Sequence, residues 1–120
     1  MAGGGQAGSR MYPMVGALTG KAARTPRLVR FGYVNLTAEA DSLLFRAGEP
    51  VPAHEFHHWD STECGDGLTA RKHDGRNWKC GVVNDCLYAG YPHLELGGDV
   101  PLAERFVQTC LEYAAIECGL

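Results

Sequence analysis

Two short strings hold most of the side chains able to move protons or ligate a metal: His54-Glu55-Phe56-His57-His58 and Tyr91-Pro92-His93-Leu94-Glu95. Imidazole serves as base and acid near neutral pH, and a neighbouring carboxylate can orient the ring and stabilise its protonated form. His93 and Glu95 lie two residues apart, so a strand or extended turn would send both to one face. The first string spells the zinc-protease pattern H-E-x-x-H, which works only on a helix, where residues i and i+4 meet around one metal. Pro50 and Pro52 precede it and Trp59 comes after, so it reads as extended, with His54 and His58 about 13 Å apart. No metal site is expected there. The structural alternative is that His54, Glu55 and His57 satisfy one another and backbone groups inside a sheet.

Two further motifs are discounted. Gly16-Ala17-Leu18-Thr19-Gly20-Lys21-Ala22 looks like a phosphate loop, but three residues separate its glycines instead of four, and Ala22 stands where a magnesium-binding hydroxyl belongs. It is expected to be a turn, so the chain itself should hold no ATP or other cofactor. Thr62-Glu63-Cys64-Gly65 imitates a nucleophile turn without a helix-forming stretch after it. The five cysteines, an odd number with no C-x-x-C pair, read as reduced thiols. Cys80 and Cys86 are expected in strands and Cys110 on a buried helix face.

The elements that must position these groups are mostly strands. Residues 31–38 alternate with β-rich chemistry, residues 51–60 read as a second strand, and 68–71, 78–83, 86–90 and 92–96 are shorter extended segments between Gly, Asp and Asn turns. Residues 101–118 form the one clear helix, with Leu102, Phe106, Val107, Cys110, Leu111 and Ala114 on its apolar face, Asp99 at its positive end and Gly119 at its stop. The fold class is α/β, a mixed sheet with a C-terminal helix. One helix for so many strands leaves a layer to be supplied from elsewhere. Residues 1–9, with four glycines, are expected as a flexible lead-in to a unit over 10–120.

At 120 residues the chain has room for one small domain or part of a larger one. Hydrophobic residues at 45% place it among ordinary globular chains, and a net charge of -3 gives no general attraction to nucleic acid or an anionic membrane. It has no membrane-length apolar run and no signal-peptide pattern at residues 1–9, so the expected compartment is the cytoplasm.

Several strings taken in order say more than any one motif: Arg10 to Leu18 (Arg-Met-Tyr-Pro-Met-Val-Gly-Ala-Leu), Thr25 to Leu28, Phe31 to Val34, His54 to His57, Tyr91 to Glu95 and Leu102 to Val107. Together they resemble the C-terminal glutamine amidotransferase domain of cobyrinate a,c-diamide synthase, from about Arg10 to about Cys110. The resemblance implies the C-terminal portion of a three-layer, flavodoxin-like domain of the triad class. It also implies a ligase of cobalamin biosynthesis that amidates two carboxylates of cobyrinic acid, or of a related tetrapyrrole such as hydrogenobyrinic acid or a nickel sirohydrochlorin. In that family ATP and magnesium activate the acid in a separate N-terminal domain, while glutamine hydrolysis supplies ammonia. The family's catalytic base falls on His93. Its usual second histidine is Glu95 here, which is similar to the His-x-Glu ending of other triad amidotransferases, where the carboxylate orients the ring. His54, Glu55, His57 and Tyr91 match strings expected near the site. The family's Glu-Cys-Gly-Gly-like turn has no counterpart here, so the nucleophile half and the ATP-binding domain are expected in a missing N-terminal portion, the partner this chain would need. A non-catalytic module, or a truncated product docking on a partner chain, is the alternative from another class, and a metal-dependent hydrolase a third.

Overall fold

A computed structural model describes residues 4–7 and 10–118, with side chains from 11 to 116. The strands in chain order are β1 (Gly4–Ala7), β2 (Arg10–Tyr12), β3 (Lys21–Arg24), β4 (Arg30–Ala38), β5 (Val51–His57), β6 (Trp59–Ser61), β7 (Leu68–Arg71), β8 (Asn77–Cys80), β9 (Val82–Asn84), β10 (Leu87–Ala89) and β11 (His93–Leu94), followed by helix α1 (Leu102–Cys118). They form a four-stranded sheet ordered β2-β1-β3-β6, a five-stranded sheet ordered β11-β5-β4-β7-β8, and the hairpin β9-β10. Only β1 and β3 pair in parallel among the named strands. The α/β class with a mixed sheet and a C-terminal helix is therefore observed.

The five-stranded sheet follows from alternation. Val34, Leu36 and Ala38 on β4, Val51 and Ala53 on β5, and Leu68 and Ala70 on β7 point to one face and are buried, while Phe31, Tyr33, Pro52 and Phe56 point to the other and are exposed. Leu43, Leu44 and Phe45 fold over the buried face, where the Leu43 N–H donates to the Asn84 carbonyl. Phe45, Leu36, Leu68, Leu102 and Val51 are fully buried, each contributing about 1.5–3 kcal/mol of apolar transfer.

Several expectations need correcting. Gly4–Ala7, part of the anticipated flexible lead-in, is paired as β1 between β2 and β3; residues 1–3, 8 and 9, and the helix stop expected at Gly119, lie outside the described residues. The strand over 51–60 breaks at His58, whose carbonyl accepts from the Thr25 N–H and whose neighbour His57 accepts from Val29, so the chain passes from one sheet to the other. The segment 78–83 breaks at Gly81, which adopts φ +79°. Gly65 packs so closely that a Cβ on it would lie 2.3 Å from the Gly81 carbonyl, an approach only glycine allows. Cys86 sits in the exposed turn of the β9-β10 hairpin, where its N–H donates to the Asn84 side chain, instead of in a strand.

The helix differs most from expectation. Leu102 is buried, but Phe106, Val107, Cys110 and Leu111 are exposed. The side turned to the domain carries Leu102, Arg105 and Thr109 instead, and Arg105 clamps it: its guanidinium donates to the Leu44 carbonyl at 2.9 Å and to both oxygens of Glu49 at 2.6 and 3.0 Å. No helix among the described residues is long and apolar enough to cross a membrane.

Candidate functional site

Strand β5 sorts the histidine string to two faces. His54 points to the open face, opposite His93 in the β5-β11 ladder. The two ring centroids are 6.5 Å apart, and the edges of Phe31 and Tyr33 approach His54 at 5.9 and 5.1 Å. His93 is exposed to solvent on this edge strand. Glu95 comes just after the end of β11. Its carboxylate lies beside Gly98 and lines a concavity of about 570 Å³ with Pro50, Pro52 and Val100; no hydrogen bond joins it to His93.

Glu55 and His57 point the other way. Glu55 is only 3% exposed, and one carboxylate oxygen lies 3.3 Å from His57 Nε2. His57 Nδ1 is 2.7 Å from the Trp59 carbonyl, which can only accept, so Nδ1 carries a proton. Tyr91 stacks on the His57 ring at 4.0 Å and 10°, and its hydroxyl is 2.8 Å from Ser61 Oγ. Both nitrogens of His57 are thus engaged, and its face is covered. The other Glu55 oxygen is buried with no partner among the described residues.

A narrow cavity of about 60 Å³ adjoins this pair, lined by Arg30, Glu55, His57, Asp60, Cys64 and Tyr91 among others. The Cys64 thiol donates weakly to Asp60 Oδ1 and to the Ser61 carbonyl, each at 3.4 Å. Burial raises its pKa above the ordinary thiol value, with the Asp60 carboxylate adding to the rise. A nucleophilic cysteine needs the opposite environment, a helix N-terminus or a nearby cation. After Cys64 the chain enters the Gly65 bridge and then β7, so no helix begins there.

The structure therefore gathers His54 with His93 and, separately, Glu55 and His57 with Tyr91. The sheet lies between the two groups. Ser61 and Asp60 join the second group unforeseen by sequence; their only signal is their place just after the histidine string. His54 lies within β5 and His58 at the break after it, not on a helix; among the described residues no three His, Cys, Asp or Glu side chains converge as metal ligands. The Gly16–Ala22 segment does not fit a nucleotide phosphate or its magnesium. Thr19 donates to Glu63, Lys21 opens β3, and Ala22 is buried within it.

No family model matches the chain, and no solved structure matches it. Curated proteins do. A cobyrinate a,c-diamide synthase of Synechococcus sp. is 34% identical over 108 residues, covering 88% of this chain and 24% of that protein. Those of Caldanaerobacter subterraneus and Priestia megaterium are 30% and 28% identical over 85% and 82% of the chain, and 23% and 22% of their own lengths. The chain thus spans under a quarter of the length of these relatives. Over 82–88% of its length the chain is similar to one part of the cobyrinate a,c-diamide synthases.

Proposed function

We propose that this chain is the C-terminal portion of the glutamine amidotransferase domain of such a synthase, one part of a three-layer, flavodoxin-like unit. His93 serves as the base of the glutaminase site, and the thiol it activates comes from a segment outside these residues. The single observation that carries this reading is the placement of His93, exposed on an edge strand beside His54 on a sheet face that the described residues leave open. A base must reach its partner thiol within hydrogen-bond distance, and such an open face admits a second segment.

In this reading His93 takes the proton of the incoming thiol and returns it to the departing ammonia. Glu95 reaches the ring only if the segment after β11 turns on assembly, so its orienting role depends on that completion. Glu55, His57 and Tyr91 stiffen β5 from behind, holding His54 and the strand that carries His93 in register. Glutamine is the nitrogen source and a tetrapyrrole carboxylate the acceptor. Activation of that carboxylate by ATP and magnesium belongs to the N-terminal domain, and the whole enzyme is placed in the cytoplasm.

The test is complementation. The chain, mixed with the N-terminal remainder of the Synechococcus relative, should release glutamate from glutamine, and His93→Ala should lower that rate about a hundredfold or more. The reading fails if the chain alone turns over glutamine at an enzymatic rate, or if His93→Ala is as active as the parent. The exposed apolar stripe of α1 also suits a non-catalytic docking module; binding to the remainder without any glutaminase activity would favour that.

A further inference from the structure

A second concavity, of about 560 Å³, opens between the start of β4 and the β7-β8 turn, lined by Val29, Arg30, Phe31, Lys72, Arg76, Asn77 and Trp78. No carboxylate among the described residues lines it. The Arg30 guanidinium carbon lies over the Trp78 indole, 4.2 Å from the ring centroid, a cation–π contact that holds the cation beside the concavity. Its one hydrogen bond among the described residues is a long one, 3.4 Å, to its neighbour's carbonyl, and it has no ion-pair partner among them. Glu55 and Asp60 share with it the narrow cavity on its other side, beyond ion-pair reach.

Lys72 is pinned over the β4 backbone, donating to the Phe31 carbonyl at 2.6 Å. Gly32, at φ +113°, makes room for it: a Cβ there would lie 3.3 Å from the ammonium. Two of the three Lys72 donors stay available. Arg76 is held through Nε by Asp74, which leaves its two terminal nitrogens for another acceptor. Three cations against one carboxylate, with unused donors and an aromatic floor, form an excess of positive charge in a chain whose net charge is -3.

We propose that this concavity binds a small, multiply charged oxyanion, a di- or tricarboxylate or a phosphate ester, with the Arg30–Trp78 pair as floor and Lys72 and Arg76 as rim. Arg30 accepts the anion in bidentate fashion, Lys72 adds a point charge, and Trp78 and Phe31 face any planar part of the ligand. The site lies apart from His93 and stands whether or not the amidotransferase reading does.

The test titrates the full chain with citrate and with pyrophosphate, using sodium chloride of equal ionic strength as control, and tracks the assigned side-chain resonances by heteronuclear NMR. The Trp78 indole and Arg30 guanidinium signals should move together and saturate while the Trp59 indole stays still. Lys72→Met, a change at the rim, should weaken binding about tenfold. Response to citrate alone assigns a carboxylate ligand, to pyrophosphate alone a phosphate ester, and to both the general oxyanion site. The proposal is overturned if chloride reproduces the shifts, if Arg30 and Trp78 do not respond, or if Lys72→Met binds as tightly as the parent. Should that variant not fold, the resonances of the unmodified chain decide.

Discussion

At the scale of single residues, the buried Glu55–His57 pair is where small changes cost most. Removing the imidazole by His57→Ala would leave a carboxylate inside the domain with both oxygens unpartnered, at a cost of about 2–4 kcal/mol. Urea unfolding should show that loss, and replacing both residues by leucine should recover much of it. Cys64 offers a chemical check on the neighbouring cavity. Because burial raises its pKa, its thiolate fraction at pH 8 is small. Alkylation there should be at least about tenfold slower than at the exposed Cys86, and should accelerate only at higher pH. Mass spectrometry after a short pulse of iodoacetamide distinguishes the two, and an electrophilic glutamine analogue should leave Cys64 unlabelled.

Among the elements, the attachment of α1 is the most informative. Arg105 is 13% exposed and holds Glu49 in a two-pronged pair, and these bonds lower the Glu49 pKa below the usual carboxylate range. A lowered folded-state pKa stabilises the fold fully above the unfolded value of about 4.3, and the contribution vanishes as pH falls through the folded value. Thermal melts should therefore drop more steeply below about pH 4 in the parent than in Arg105→Met, which at neutral pH should be less stable by about 1 kcal/mol. The element pattern also tells what the sequence can convey. Residues 31–38 and 68–71 are legible because one buried face imposes strict alternation. The H-E-x-x-H string is legible as extended because two prolines precede it. The helix is legible as a helix, but its apolar stripe points to a core it does not meet here, since periodicity reports which face is apolar and not what covers it. The break at Gly81 and the separation of Glu55 from His93 depend on contacts distant in sequence, which no local pattern carries.

Seen whole, the molecule is open. Its radius of gyration is 15.8 Å, against about 14 Å for a compact domain of this length. Two apolar surfaces go with that openness: the sheet face with Phe31, Tyr33 and Phe56, where Tyr33 is 76% exposed, and the outer side of α1, where Leu111 is 60% and Ile116 78% exposed. Surfaces of that kind bind a hydrophobic dye and favour association. The isolated chain should enhance dye fluorescence and melt broadly, and addition of the relative's N-terminal remainder should suppress the dye signal and sharpen the melt. A sharp melt without dye binding would mark a self-sufficient unit.

The alternation along β5 has one more consequence. Sliding β5 past β4 by a single position would exchange its two sides, thrusting His54 inward and the Glu55 carboxylate out into water, while Val51 and Ala53 traded places with Pro52 and Phe56. His57 lies two residues on along the same strand and would move out with the acid, so the alignment is selected by the apolar side of β5, which is sealed from water only when Val51 and Ala53 face inward.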